Sequence, residues 1–330
     1  DVTYAPALEG RAQVAARQGD KENALEYYAR LLEVVPGNED AGIALAQEQG
    51  VKGDIAGAVA ILEGTAKNNP IAVDARRILV RLLLIEGDTR KAEIYAAEAV
   101  ELSPSDPMVR LAKVTSDNAS GRTAEAARSL QDMVDGDEDL PRDAYLLLAR
   151  LRQNDGLYRQ AAEALEEWYT DHPDDDAVAI LLANVELQFD PESAAGRFEA
   201  LAQEAGNETR AKAAAINNLA IAYDLAGDSR AEATARQARE LLPDDPSVAD
   251  TLGWILAKNG NLDEALDLLK LATAESNGNP TMVFHLAWTM AETGDLDGAR
   301  ERVEALLADP ALDFPEQSEA EILLQRLNNN

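Results

Sequence analysis

Side chains that could do catalytic or metal chemistry are scarce in this sequence. It contains no cysteine and only two histidines, His172 and His285. Without cysteine there is no disulfide, no thiolate zinc site and no cysteine nucleophile. Two separate histidines leave little from which to build a zinc site or a nucleophile–histidine–acid triad. We therefore predict a protein that is not an enzyme and that binds no cofactor.

The acidic run DGDEDLPRD at residues 135–143 superficially resembles a calcium-binding loop. It lacks the glycine that such a loop needs at its sixth position and the glutamate that it needs at its twelfth. A solvated acidic loop is the simpler interpretation. No phosphate-binding loop or dinucleotide fingerprint occurs either, so we expect no metal and no nucleotide.

The charge balance narrows the classes of partner. The chain has 61 acidic and 30 basic residues, for a net charge of −31. Nucleic-acid binding needs a basic footprint, so we expect no nucleic acid, and an anionic membrane surface is disfavoured for the same reason. No apolar run is long enough to insert into a membrane. The acidity fits a solvated surface, in a saline habitat for example, or a basic partner.

Glycines recur along the chain at a nearly constant interval. The steps between them are 34 residues, except one of 33, one of 35 and one of 71, which is two periods with a small insertion. The glycines of this column are Gly19, Gly53, Gly87, Gly121, Gly156, Gly227, Gly260 and Gly294. The next residue is often acidic or amide, as at Asp20, Asp54, Asp88, Asp228, Asn261 and Asp295. Left-handed glycine ends one helix and Asp or Asn caps the next, so each position predicts a helix–turn–helix.

Two further columns keep the same phase. Alanines stand five residues beyond the glycine, at Ala24, Ala58, Ala92, Ala126, Ala161, Ala265 and Ala299. Prolines stand sixteen or seventeen residues beyond it, at Pro36, Pro70, Pro104, Pro173, Pro243 and Pro310. The small alanine lets two antiparallel helices approach closely, and proline ends the second helix because it clashes with the preceding turn. The three columns predict an all-α protein of repeated helix pairs.

Two segments carry a more specific pattern. NLAIAYDLAGD at residues 218–228 and TLGWILAKNGNLDEALDLLKLA at residues 251–272 resemble the tetratricopeptide repeat family, with Tyr223, Gly227 and Gly253 in the expected places. The repeat of that family is 34 residues of helix, turn and helix. The resemblance covers nearly the whole chain. It implies a right-handed superhelical solenoid of about nine helix–turn–helix repeats plus a C-terminal capping helix.

The repeat pattern is interrupted in its sixth and seventh units. Phe189 stands where the glycine of the sixth unit belongs, although Asp190 and Pro191 still supply a cap and a first-turn proline. In the seventh unit Glu232 occupies the alanine column and Ala231 stands one place early. This offset indicates a one-residue deletion in the turn.

We nevertheless expect residues 1–330 to form a single continuous solenoid. An insertion near Asn207 predicts a longer first helix from Glu208, and we expect the most irregular stacking near residues 189–212. Residues 315–327 are predicted to form the capping helix, whose Glu and Gln residues give the terminal repeat a polar cover.

The resemblance also implies where a partner would bind. In such solenoids the first helices of the repeats line the concave face, which is the usual binding surface. Its inward-facing positions select the polar residues Arg77, Arg81, Asn118, Arg150, Asn184, Asn217 and Asp250. Arginines on this wall can make bidentate contacts with carboxylates. The alternative is that they only neutralise neighbouring acids such as Asp74 and Asp143.

Trp254, Phe284 and Trp288 complete this set near the C-terminus. Phe284 and Trp288 are four residues apart and share a helix face, and repeat stacking brings Trp254 alongside. Leucines already fill the core-facing columns of these helices. We therefore predict that the aromatic side chains project partly into the groove and bind a protein or peptide. The alternative is that they pack against neighbouring first helices or the terminal helix.

A finer resemblance concerns the last two repeats. Residues 251–254 and 285–287 resemble C-terminal repeats of bacterial tetratricopeptide proteins encoded with exopolysaccharide assembly and exosortase systems. This implies a periplasmic or lipid-anchored scaffold for secretion machinery. Because the chain starts at Asp1 without methionine, we expect a mature or excised form. The alternatives are a cytoplasmic adaptor or co-chaperone and a glycan-binding module.

Overall fold

The computed structural model describes residues 4–136, 140–308, 312 and 314–329. Within them it contains nineteen helices and no strand, and the chain divides into two compact units, one ending at Gly156 and one beginning at Leu157. In chain order the helices form nine pairs followed by one last helix. The predicted all-α class and number of repeats are confirmed.

The first unit contains nine helices. They are α1 (Ala5–Arg17), α2 (Lys21–Val34), α3 (Glu39–Val51), α4 (Ile55–Asn68), α5 (Val73–Glu86), α6 (Thr89–Leu102), α7 (Pro107–Ala119), α8 (Thr123–Asp135) and α9 (Arg142–Asn154). The second unit contains ten helices. They are α10 (Tyr158–Asp171), α11 (Asp176–Glu186), α12 (Pro191–Glu204), α13 (Thr209–Leu225), α14 (Ala231–Leu241), α15 (Pro246–Lys258), α16 (Leu262–Glu275), α17 (Pro280–Thr293), α18 (Leu296–Leu307) and α19 (Gln317–Asn328).

The glycine column makes the predicted turns. All eight of its glycines have φ between +70° and +91°, a region that glycine enters without steric cost. Four of the predicted caps accept a hydrogen bond from the backbone N–H three residues later, and these are Asp20, Asp54, Asp88 and Asp295. Asn261 occupies its cap position without a side-chain hydrogen bond. Asp228 accepts instead from the backbone N–H and guanidinium of Arg230, in the turn that the deletion shortens.

The alanine and proline columns lie where the sequence predicts them. Every alanine of the column is buried, and in the seventh repeat Ala231 is buried while Glu232 is partly exposed. The five described prolines each stand two residues beyond the end of a second helix. Pro310 lies outside the described residues. Small buried residues therefore set the close packing of helices, and prolines mark where the second helices end.

The interrupted region also follows its predicted local structure. Asp190 caps α12 and Pro191 occupies its first turn, without a left-handed residue at Phe189. The insertion near Asn207 precedes α13, which has 17 residues. The last helix begins at Gln317, two residues later than predicted, because residues 315 and 316 form a turn.

Close packing of α15 on α16 positions the candidate site in the second unit. A Cβ added to Gly253 would lie 2.8 Å from Leu269 Cγ and 3.3 Å from Leu268 Cβ. The missing side chain therefore lets the two helices approach, with Leu252 and Leu256 buried in the core. Trp254, next to this glycine, is only partly buried and packs against the same core cluster.

Among the described residues, no helix has the length and apolar character needed to cross a lipid bilayer.

Candidate partner-binding site

Two successive first helices, α15 and α17, carry the aromatic residues. Asp250, Trp254 and Lys258 follow one another at intervals of four on α15 and so share one face of that helix. Asp245 caps the start of α15, and Asn279 caps the start of α17. Because α15 and α17 contact each other directly, side chains at equivalent positions of the two repeats meet.

The aromatic rings form one compact group. Trp254 lies edge-to-face with Trp288, with ring centroids 5.2 Å apart and planes at 85°. Phe284 meets Trp254 at 6.1 Å and 60°. Both tryptophans are partly buried, and they touch the core from its surface. Edge-to-face geometry is favoured for such rings, so the two indoles form an ordered, partly exposed surface, which we call the tryptophan surface.

A buried polar pair, Asp250 and His285, packs against the tryptophan surface on its core side. The His285 imidazole stacks on Trp254, with centroids 4.2 Å apart and 10° between planes. Its Nδ1 is 3.0 Å from both carboxylate oxygens of Asp250, and both residues are buried. The Thr289 hydroxyl donates to the backbone carbonyl of His285, 2.8 Å away, rather than to the imidazole. The pair therefore joins α15 to α17 and fixes the orientation of Trp254.

A cationic side chain borders the tryptophan surface. The Lys258 Nζ lies 5.4 Å from the centroid of the Trp254 ring and pairs with Asp224 on α13. Such cation–π contact stabilises both groups. The surface can therefore receive an apolar or aromatic anchor of a partner, with a lysine–aspartate pair at its edge.

Phe284 corrects one of our expectations. It is only 3% exposed and belongs to a core cluster with Leu323 of the last helix. The prediction that Phe284 projects into the groove is wrong, because its ring is buried in this cluster and packs against the indole of Trp254. The packing alternative thus applies to Phe284, whereas Trp254 and Trp288 keep part of their surface exposed.

Two of the polar residues selected by position are also buried. Asp250 is 8% exposed and is held by His285, and Asn217 on α13 is 7% exposed. Among the described residues, Asn217 Oδ1 has no hydrogen-bond partner. Both residues therefore lie beneath the surface rather than on it.

The remaining predicted residues are accessible. Asn184 is exposed on α11 of the second unit. In the first unit Arg77 is paired with Asp74, with Nη2 2.8 Å from Oδ1, as the charge-neutralising interpretation expected. Arg81 and Arg150 are exposed and form no hydrogen bond or ion pair within the described part of the chain. Partner contacts by these accessible residues stay a prediction.

The sequence analysis did not predict the Asp250–His285 pair or the contact of Lys258 with the Trp254 ring. The spacing could have indicated the pair, since Asp250 and His285 are separated by one period plus one residue and so lie at neighbouring positions of successive repeats. The described residues contain no group of three or more His, Asp or Glu arranged to hold a metal ion.

Comparisons with known proteins agree with this architecture. Two tetratricopeptide repeat family models match the chain, one over residues 4–39, 43–107 and 229–280 and the other over residues 256–327. Together they cover more than half of it. A TPR repeat-containing protein of Pseudomonas aeruginosa is 28% identical over 162 residues, which are 46% of this chain and 26% of that protein. The chain thus spans about a quarter of the length of that relative.

Comparison with solved structures shows a likeness of fold to one tetratricopeptide repeat protein. A tetratricopeptide repeat protein from Parabacteroides merdae aligns with a TM-score of 0.50 and 15% identity, over 76% of this chain and 98% of that one. The Cut9–Hcn1 hetero-tetramer of the APC/C aligns with a TM-score of 0.48 and 16% identity, over 92% of this chain and 59% of that one.

Proposed function

The chain belongs to the tetratricopeptide repeat family, and from that premise we propose that it is a non-enzymatic scaffold that binds protein or peptide partners on its first helices. The observation that carries the proposal is the tryptophan surface, where two partly exposed indoles pack edge-to-face and that of Trp254 stacks on a buried Asp–His pair. Aromatic anchors dominate the energy of many protein interfaces.

The rigidity of the tryptophan surface supports this function. Binding costs conformational entropy when side chains must be ordered. Trp254 is held between His285 and Trp288, so little of that cost remains when a partner helix or extended peptide docks. The side chains of Trp254 and Trp288 are thus the proposed anchors.

Site-specific photocrosslinking tests the proposal. A photoreactive phenylalanine analogue replaces Trp288 in the full chain, and crosslinked peptides are identified by mass spectrometry in cells of the source organism. We expect one recurrent partner segment with apolar or aromatic residues at the crosslink. The control carries the same analogue at Leu271, which is exposed on the second helix α16.

Equal crosslinking from the two positions, with the same set of proteins, would contradict the proposal. So would a partner that crosslinks only from Leu271.

The finer proposal is that this scaffold serves a bacterial exopolysaccharide assembly or secretion system and is periplasmic or lipid-anchored. Its support is the resemblance of the last two repeats to proteins of such systems. Cell fractionation combined with the crosslinking tests it. Recovery in the cytoplasm with chaperones or cytoplasmic enzymes as crosslinked partners would favour an adaptor or co-chaperone instead.

A further inference from the structure

One cation of the chain itself lies against the tryptophan surface. The Lys258 Nζ is 5.4 Å from the centroid of the Trp254 ring and is ion-paired with the carboxylate of Asp224 on α13. The negative face of an indole attracts a cation, and the carboxylate adds an opposite charge beside it. Trp254 and Asp224 therefore form a cation-binding pair, which the chain fills with one of its own lysines.

This internal lysine can be exchanged for a better ligand. Lys258 is the last residue of α15, and its side chain keeps 35% of its surface exposed. A lysine ammonium is strongly hydrated and sits on a flexible stem, whereas a guanidinium is weakly hydrated, stacks on aromatic rings and pairs bidentately with carboxylates. An incoming arginine can therefore replace Lys258 at both Trp254 and Asp224 while the lysine turns into solvent.

The charge of the second unit favours an incoming cation. Residues 157–330, which form this unit, hold 34 of the 61 acidic residues but only 12 of the 30 basic ones. More than two thirds of the net negative charge of the chain therefore lies in the unit that carries the tryptophan surface. A field of one sign attracts a partner of the opposite sign and disfavours a second copy of this chain.

The helices on either side of α15 add groups of both kinds. On α17, Glu292 lies four residues after Trp288, one period beyond Lys258, and its Oε1 is 2.8 Å from Arg326 Nη1. On α13, Leu225 is next to Asp224 and is 55% exposed. The tryptophan surface is thus bordered by two carboxylates, each of which already holds a cation, and by an exposed apolar side chain.

From this arrangement we infer that the tryptophan surface binds a basic segment of another protein, in which an arginine next to an apolar residue takes the place of Lys258. The guanidinium of this arginine stacks on Trp254 and pairs with Asp224, and the apolar residue packs on Trp288. The inference rests on the proposed scaffold function and states the chemistry of the partner at that site.

Fluorescence anisotropy with four labelled peptides tests the inference on the full chain, at about 150 mM salt to screen distant charges. The peptides have about twelve residues, share the same leucines, and carry arginine, lysine, citrulline or glutamate at the same positions. Citrulline keeps the shape of arginine without its charge. We expect the affinity to fall in that order, with about tenfold between the arginine and citrulline peptides.

Two lysine variants assign the preference to this site. Lys258→Gln removes the internal competitor and should tighten binding of the arginine peptide about threefold, with no change for the citrulline peptide. The control Lys270→Gln removes the same charge from an exposed position on the second helix α16 and should leave both affinities as in the wild type.

Two aspartate variants test the carboxylate in the same way. Asp224→Asn should reduce the preference for arginine over citrulline, because the guanidinium loses its ion pair. The control Asp267→Asn, at another exposed position of α16, should keep that preference. Thermal melting confirms that all four variants are folded at the assay temperature.

Equal affinity for the arginine and citrulline peptides would overturn the inference. Equal tightening by the two lysine variants would also overturn it, since the peptide would then respond only to the overall charge. Crosslinking from Trp288 in cells is an independent measurement. A captured partner together with equal arginine and citrulline affinities rejects only this inference, whereas no captured partner together with Lys258-dependent arginine binding rejects only the proposed function.

Discussion

The imidazole of His285 lies flat against the indole of Trp254, with their centroids 4.2 Å apart. The two residues belong to first helices of successive repeats, so this stack links one repeat to the next. The carboxylate of Asp250 lies within hydrogen-bond distance of the imidazole Nδ1 and fixes the orientation of the ring. A polar interaction inside the array thus fixes an aromatic residue at its surface, which is how the fold prepares the candidate site before a partner binds.

Replacing His285 with Phe should keep a ring against Trp254 but leave the buried carboxylate of Asp250 without its partner. We expect a loss of about 3 kcal/mol in the free energy of unfolding, because an uncompensated buried charge is costly. Urea denaturation measures it. The double variant Asp250→Leu/His285→Phe should recover most of the loss, and a single variant as stable as the wild type would contradict the role given to the pair.

Ala92→Leu and Ala265→Leu should each destabilise the protein, because both alanines are fully buried between packed helices. Overpacking of this kind costs about 1–3 kcal/mol. Thermal melting compares them with Ala97→Leu and Ala274→Leu, which place the same side chain at exposed positions of the same helices. Melting temperatures that do not distinguish the buried from the exposed pair would mean that the repeat register is wrong.

Gly253 and Gly196 both lie inside helices but should respond oppositely to alanine. Alanine favours a helix over glycine by about 0.5–1 kcal/mol. At Gly196 no atom lies within 4 Å of the added Cβ, so Gly196→Ala should stabilise the protein by that amount. At Gly253 the Cβ would lie 2.8 Å from buried Leu269, so Gly253→Ala should destabilise it. Stabilisation by both substitutions, in denaturant titrations, would show that α15 and α16 do not approach as closely as described.

Two carboxyl groups should give pH dependences of opposite sign. Burial raises the pKa of Glu186, against the lowering effect of Arg197. Its ionised form therefore costs stability at neutral pH, a cost that disappears as the pH falls through the folded-state pKa towards the unfolded value. Glu186→Gln should thus be at least as stable as the wild type at neutral pH, with an advantage that shrinks on acidification.

Glu48 provides the matched comparison. Hydrogen bonds from Lys21 and Lys52 lower its pKa, so its ionised form stabilises the fold above the unfolded-state pKa and the contribution is lost as the pH falls through the folded-state value. Glu48→Gln should be less stable than the wild type at neutral pH, and its deficit should shrink on acidification. Denaturant midpoints between neutral pH and about pH 4 measure both differences. The same sign for both variants would contradict the assignment.

The turns and helix contacts were predictable because they depend on local residues in a strict period. Gly87 ends a helix and Asp88 caps the next whatever lies elsewhere in the chain. The buried alanines follow from the same register. The burial of Ala231 in place of the next residue follows from the one-residue deletion in its turn, and the length of α13 follows from the insertion that precedes it.

The candidate site was predictable only in part, because burial of a first-helix residue depends on what packs over it. The repeat register assigns both Trp254 and Phe284 to inward-facing positions of first helices, yet Phe284 is buried in a core cluster whereas Trp254 is only partly buried. The Asp250–His285 pair depends on how two repeats stack, to within a hydrogen-bond length. The repeat register predicts which face of a helix a residue occupies, but it does not predict distances between side chains of two repeats to within a hydrogen-bond length.

The most direct test of the scaffold function is the affinity of Trp254→Ala and Trp288→Ala for the partner segment captured by crosslinking at Trp288. Calorimetric titration, on variants shown by thermal melting to be folded at the assay temperature, should give a loss of about 2 kcal/mol or more, roughly thirtyfold in affinity. The control Ile322→Ala, at a residue 65% exposed on the last helix, should bind as the wild type does. Wild-type affinity in both folded tryptophan variants would contradict the account and show that these indoles serve only to pack the repeats.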